Sequence, residues 1–301
     1  MKIFLTGGTG FIGKKLRQVF VEEGHKVTLL IRPGEFPSNL EEGVSCIEGN
    51  TYESGPWQAN ISEHEVIINL AGTSIFRRWN KKIKEEIYKS RIVTTRRIVE
   101  ALYKQKGKAA HFFSASGVGY YGFHGDEYLD ETSPPGNNFL ARVASDWEAE
   151  ALKAAKLGMR VVLCRFGIVL GEKGGALAHL LPLFRLHLGS SWGSGEQWLS
   201  WIHEDDVCRT CVFLLNHKEI EGPVNFTAPH PVHNTEMAEG IENILQKRQI
   251  LPAIPAFIFK LILGEFSTVF LKGQRVIPQK LLSHDFEFQF PTLEKALRNL
   301  L

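Results

Sequence analysis

Cysteine is scarce in this chain. Four residues among 301 cannot make a disulfide framework, and so low a number suits a reducing compartment. Cys208 and Cys211 form a Cys-x-x-Cys pair inside a helical pattern, but no second pair completes a zinc site, so both are expected to pack in the core. His230 and His233 find no third ligand at a sensible spacing, and no metal is expected. An excess of charge is missing too. Lys and Arg number 35 against 33 Asp and Glu, which gives no reason to expect nucleic acid or an acidic membrane as a partner. No stretch reaches the ~18 uncharged apolar residues of a membrane span. The nearest, residues 254–270, contains Lys260 and Glu265 and is expected to pack within a lobe. Strand and glycine turn begin at the first residues, so no signal peptide is expected. These absences leave an ordinary globular protein, expected in the cytoplasm.

What the chain does have is a glycine turn at its start, Lys2-Ile-Phe-Leu-Thr-Gly-Gly-Thr-Gly-Phe-Ile-Gly13. Residues 2–6 are a short apolar run with β-branched and aromatic members, which predicts a buried strand. Residues 11–23 then show helical spacing, with Phe11, Ile12, Leu16, Val19 and Phe20 on one side. Gly8, Gly10 and Gly13 fit the G-x-G-x-x-G form, and Gly7, Gly10 and Gly13 fit a variant one residue longer. Such glycines allow a tight turn, close approach of backbone to a pyrophosphate, and close packing of helix on strand. The helix start also points free N–H groups and a positive dipole end at the phosphates. Thr6, Gly7, Gly8, Thr9, Gly10, Phe11, Ile12 and Gly13 are therefore expected to bind a dinucleotide. A second strand, 26–31, ends at Arg32 where an acid would select NAD, so NADP(H) is the expected cofactor.

Strand and helix patterns then alternate, which predicts right-handed βαβ units and a parallel sheet. Residues 44–47 read as a weak strand, 65–70 as a strong one, 111–116 and 159–166 as others, and 223–227 as the last. Helices are expected over 80–104, 141–155, 176–188 and 203–215; Asp205 and Asp206 sit in the first turn of the last, where acids favour the dipole. Gly72 follows the strong strand, at the carboxyl edge of the sheet. The long 80–104 helix offers a face for a homodimer. The expected fold is a Rossmann-type, doubly wound parallel sheet with a smaller, mostly helical C-terminal lobe. Residues 1–170 would form the NADP-binding domain, with core elements also from 203–227, and residues 171–301 the substrate-covering region and the lobe.

Several segments together resemble the extended branch of the short-chain dehydrogenase/reductases. They are the glycine turn, Asn69-Leu-Ala-Gly72, the serine strand ending at Ser116 with Tyr121-Gly122 beyond it, Arg165, and Trp201-Ile-His-Glu-Asp-Asp206. A narrower resemblance is to an epimerase-like NADP-binding family of unassigned substrate. It is carried by Arg77-Arg-Trp79, Ser90-Arg91, Gly119-Tyr-Tyr-Gly122, Trp147-Glu148, Gly174-Gly-Ala176, Gly193-Ser-Gly195 and Gly273-Gln-Arg-Val-Ile-Pro278. The resemblance implies cofactor contacts from Leu70, Ala71, Gly72, Ser90, Ser114 and Arg165. It implies a carbonyl or sugar-nucleotide substrate, for which Arg77, Trp79 and Glu131 are candidate contacts.

The superfamily works with a tyrosine, a lysine four residues later and a serine; the lysine lowers the phenol's pKa so that it can act as a base. This chain departs from that pattern. None of Tyr52, Tyr88, Tyr103, Tyr120, Tyr121 and Tyr128 has a lysine four residues on, and no lysine occurs between residues 109 and 152. Ser116 fits the serine position. Tyr120 or Tyr121 is the candidate phenol, with Arg142 or Arg165 to supply charge. The reading is an NADP(H)-dependent oxidoreductase or epimerase-like protein; the alternative is a non-catalytic NADP(H) sensor that acts through protein partners.

Overall fold

A computed structural model describes residues 1–105, 109–248 and 250–301. Seven parallel strands make the central sheet: β1 (Lys2–Thr6), β2 (Lys26–Ile31), β3 (Val44–Glu48), β4 (Val66–Asn69), β5 (His111–Gly117), β6 (Arg160–Phe166) and β7 (Gly222–Phe226). Their spatial order is β7-β6-β5-β4-β1-β2-β3. The chain reverses direction of travel across the sheet between β1 and β4, and a crevice opens there at the carboxyl ends of the strands.

The period-two alternation of strand side chains sorts the core into two layers. Ile3 and Leu5 of β1 face one side, with Leu16 and Phe20 of α1 (Phe11–Glu22). Phe4 faces the other side, with Ile98 and Leu102 of α2 (Lys81–Gln105) and Ala151 of α3 (Phe139–Leu152). Helices therefore cover both faces, which makes the sheet doubly wound. Asn138 caps α3 by accepting from the Ala141 N–H at 2.9 Å. A short 3-10 turn at Lys153–Leu157 follows, so the helix expected to run to 155 stops at Leu152.

Beyond β6 lie α4 (Gly175–Arg185), α5 (Glu204–Asn216), α6 (Asn234–Leu245), α7 (Ala256–Leu263) and α8 (Leu293–Leu300). The α5 helix packs on the same layer as α1 and buries Cys208 and Cys211 as free thiols. In its first turn Asp206 is fully buried and does more than face a dipole. Its carboxylate accepts from the Gln289 and Phe290 N–H groups at 2.8 and 2.9 Å, which fastens the C-terminal region to the sheet. Burial raises its pKa, and those two N–H donors work against the rise. The C-terminal helices share a separate core of Leu177, Phe184, Trp201, Met237, Ile241 and Leu297.

One expectation about this region is corrected. Residues 254–270 pack unevenly: Phe266 and Phe270 join the rings of Trp79 and Trp192, and from the first half Phe259 reaches Trp192 and Phe270. The first half is α7, which buries no residue and leaves Phe257 and Leu261 about 69% and 75% exposed. Two charges on an apolar run excluded a membrane span, but they did not reveal which turns find a neighbour. Among the described residues no helix is long and apolar enough to cross a membrane, and no group of His, Cys, Asp or Glu is placed to hold a metal ion.

Candidate functional site

The crevice at the strand ends holds two neighbouring recesses, a groove and a cavity. Thr6, Gly7, Thr9 and Gly10 line the groove beside Arg32, and Leu70, Ala71, Gly72 and Ser90 close its other wall. Its shape is set by backbone. Gly7 has φ +73°, and a Cβ there would lie 2.7 Å from the Leu70 carbonyl, so only glycine fits. Gly10 starts α1 in extended backbone, and its N–H donates to Gly7 O at 3.0 Å. No acidic residue occupies the first turn of α1, so its positive end is uncompensated and faces the groove. Gly8 and Gly13 line neither recess. Any Cβ on Gly13 would sit 2.3 Å from Gly7 O, so this glycine lets the helix close on the turn. Asn69 orders the opposite loop: it accepts from Thr6 Oγ1 at 2.7 Å and from the Ala71 N–H at 3.2 Å. At the lip, exposed Arg32 pairs with Glu35 at 3.3 Å. Tyr52, Thr73 and Thr94 complete the groove and were not singled out from sequence.

The cavity, of about 430 Å³, adjoins this groove through Phe11 and Ile12. Ser116 at the end of β5 lines it, together with Leu140, Val143, Ala144 and Trp147 of α3. Ser116 Oγ donates to Glu148 Oε1 at 2.7 Å, so it presents lone pairs to the cavity. Among the described residues the lining contains no Asp, Glu, His or Tyr. Its cations are Lys272 and Arg91. Arg91 bonds the Thr73 and Ile87 carbonyls at 3.1 Å and stacks over Trp147, but it pairs with no carboxylate among the described residues. Burial pulls its pKa down to about 10.

Five expected site residues line neither recess. Tyr121 is fully buried: its hydroxyl donates to Asn225 Oδ1 at 2.7 Å and accepts from Arg165 at 2.9 Å. Burial pushes its pKa up to about 12, and Arg165 and Asn225 only partly offset that. Tyr120 lies with its ring under the Arg165 guanidinium at 3.6 Å and lines neither recess. Arg165 itself is a bidentate partner of Glu148, at 2.8 Å to each carboxylate oxygen. Burial opposes its charge, but the Glu148 bonds overcome this and hold its pKa above the usual arginine range. Ser114 is buried in β5, away from both recesses. Glu131 is buried too, and its oxygens accept from the Asn225 and Lys280 N–H groups at 3.0 and 3.2 Å; burial raises its pKa.

The substrate candidates Arg77 and Trp79 also lie outside the cavity lining. Arg77 pairs with Glu86 at 3.0 Å, and Trp79 donates to Ile75 O at 3.0 Å while its ring packs on Phe139 and Phe266. Arg142 is exposed. Sequence reasoning placed Arg91 only within the resemblance and gave it no role, because a helix arginine looks like any solvated charge.

With its fold and site, the chain belongs to the NAD dependent epimerase/dehydratase family, whose description matches residues 3–226. Residues 254–300 match a domain of unknown function, DUF1731. The kinship with extended short-chain dehydrogenase/reductases is therefore real. Over its whole length the chain is 38% identical to the chloroplastic "Epimerase family protein SDR39U1 homolog" of Arabidopsis thaliana, covering 87% of that protein. It is 36% identical to "Epimerase family protein YfhF" of Bacillus subtilis, covering 98% of it. A crystal structure of human epimerase family protein SDR39U1 with NADPH superposes with a TM-score of 0.86 at 32% identity, covering all of this chain and 99% of that one. A Bacillus cereus UDP-glucuronic acid 4-epimerase, at TM-score 0.80 and 19% identity, shares the fold.

Proposed function

We propose that the chain binds NADP(H) along the groove and carries out oxidoreductase or epimerase-like chemistry on a small carbonyl compound in the adjoining cavity. The observation that carries this reading is a glycine cradle, open at Gly7 and Gly10 and rimmed by Arg32, next to a cavity lined by Ser116, the two walls meeting at the consecutive pairs Gly10-Phe11 and Ser90-Arg91. The cradle suits a pyrophosphate because a Cβ is excluded where backbone must approach it. Arg32 suits a 2′-phosphate. The human relative crystallised with NADPH supports the choice of cofactor. When bound, the cofactor supplies or accepts hydride. The protein's part is to exclude water with the apolar wall of α3 and to orient one oxygen. Ser116, its proton engaged by Glu148, accepts from a substrate hydroxyl, and the lining's donors for a carbonyl oxygen are Arg91, Asn138, Lys272 and Gln274.

NADPH titration by nucleotide fluorescence, followed by single-turnover NADPH oxidation over a panel of carbonyl compounds, tests this reading. Failure to bind NADPH would overturn it. A second reading, the NADP(H) sensor, is favoured by the lack of any Tyr, His or carboxylate in the described lining. It expects tight NADPH binding, no carbonyl reduced, and a partner protein that distinguishes NADPH from NADP⁺. A reducing compartment such as the cytoplasm, and a homodimer formed through the outward side of α2, complete the proposal; sedimentation checks the latter.

A further inference from the structure

We propose that the cavity's ligand is a predominantly apolar ketone or aldehyde, with an aliphatic or ring body, rather than a sugar nucleotide. This rests on the cavity being the substrate site of the reading above. Twenty-nine residues line it, and apart from two indoles only Arg91, Ser116, Asn138, Ser200, Lys272 and Gln274 carry polar side chains. Most of that polarity is already engaged within the protein. Ser200 donates to the Gln274 carbonyl at 2.8 Å and accepts from the Val276 N–H at 2.9 Å. Ser116 is bonded to Glu148, and Asn138 Oδ1 to the Ala141 N–H. The two indole N–H groups are used as well, Trp147 on Thr95 and Trp198 on Asp126, each at 2.8 Å.

A hexose ring would bring several hydroxyls into this space. Each one buried without a partner weakens binding by roughly tenfold or more. A diphosphate would also need several free cations. The lining offers Lys272, whose ammonium lies 5.5 Å from the Phe123 ring centre, and Arg91, already bonded to the Thr73 and Ile87 carbonyls, while other cations nearby are committed. Arg275 lies between the rings of Tyr128 and Trp198, 3.9 and 4.1 Å from their centres, with an N–H on the Asp126 carbonyl at 3.2 Å. Arg165 is taken by Glu148, and Arg77 by Glu86. What remains is a largely apolar wall with few polar side chains, chiefly Arg91, Ser116, Lys272 and Gln274. That arrangement recognises one oxygen on a body that prefers to leave water.

Calorimetric titration of the full chain, with and without NADPH, tests this. The probes are straight-chain 2-alkanones of increasing length, with UDP-glucose as the contrast. Affinity is expected to rise roughly fourfold for each added methylene that is buried, and UDP-glucose to show no saturable binding. Ala144→Leu, which narrows the cavity, should weaken the longer alkanones at least about tenfold and leave NADPH affinity unchanged, so retained NADPH binding reports that the variant is folded. Should Ala144→Leu misfold, Val143→Ala widens the same wall and should shift the preference to longer alkanones. Alkanone affinity that does not change with length, or saturable UDP-glucose binding that depends on the same α3 residues, would overturn the proposal. Because the titrations are also run without cofactor, failure of the cofactor reading alone would appear as absent NADPH binding with the alkanone trend intact.

Discussion

The hydroxyl of Tyr121 is the buried link between Arg165 and Asn225, donating to one and accepting from the other. It thus joins β5's exit turn to β6 and β7, and its chemistry is spent on holding strands together. Tyr121→Phe is expected to destabilise the fold by about 1–3 kcal/mol, because buried polar partners lose a bond. NADPH affinity should be unchanged. Chemical denaturation beside an NADPH titration separates the two effects.

The same residue predicts an alkaline limit. Its pKa is raised to about 12 in the fold, against about 10 for an unfolded tyrosine. The stability that favours its protonated form is complete below about pH 10 and is lost as pH rises toward about 12. Melting curves over that window should fall less steeply for Tyr121→Phe than for the unaltered protein.

Glu148 and Arg165 form an ion pair in which each is almost wholly buried. Removing one partner strands the other's charge, so Glu148→Ala should cost on the order of 3–5 kcal/mol. A Glu148→Gln, Arg165→Met double change should recover part of that, as read by denaturant midpoints. Equal losses for the single and double variants would mean that the pair is not the cause.

The two glycines of the turn should fail differently. Gly10→Ala places a Cβ 3.2 Å from Gly7 O, a contact the backbone can relieve, but it occupies the pyrophosphate's approach. Its melting temperature should stay near that of the parent while NADPH binding is lost. Gly13→Ala places a Cβ 2.3 Å from the same oxygen and should destabilise the protein by at least about 1–3 kcal/mol.

Cofactor choice turns on Arg32. Arg32→Asp should weaken NADPH about ten- to a hundredfold and bring NADH level or ahead. Glu35→Gln releases Arg32 from its surface partner and should tighten NADPH slightly, because an exposed pair is worth little. Fluorescence titration of both nucleotides decides it; equal tightness for NADH and NADPH in the unaltered protein would sink the assignment.

The strand, turn and helix at the N-terminus were legible because glycine spacing and apolar periodicity are properties of sequence. So were the remaining strands of the sheet, whose β-branched runs lie between helical patterns. Side-chain direction was not legible. Tyr120 and Tyr121 follow Ser116 closely in the chain, but the 3-10 turn at Val118–Tyr121 swings Tyr121 into the core. Arg165 is the next-to-last residue of β6, and only the pairing of β5, β6 and β7 reveals which face it takes. Glu131 read as a loop carboxylate because its partners, Asn225 and Lys280, are far away in sequence. The helix beginning at Asn138 was legible as the one that should carry the tyrosine and lysine, but which of its apolar residues face the cavity, Leu140 and Ala144 among them, was not.

Those two residues carry a further consequence. They stand four apart on α3, on one face of the helix and in the cavity wall. That is the spacing of the superfamily's missing tyrosine and lysine, with Ser116 already facing the same space. A place on α3 that could hold such a pair beside Ser116 is thus occupied by hydrocarbon. Leu140→Tyr with Ala144→Lys would repopulate it, and an ammonium placed among these apolar neighbours should titrate below its ordinary range. A pH-rate profile that gains an ionisation near neutrality would mark a dormant template brought back into use.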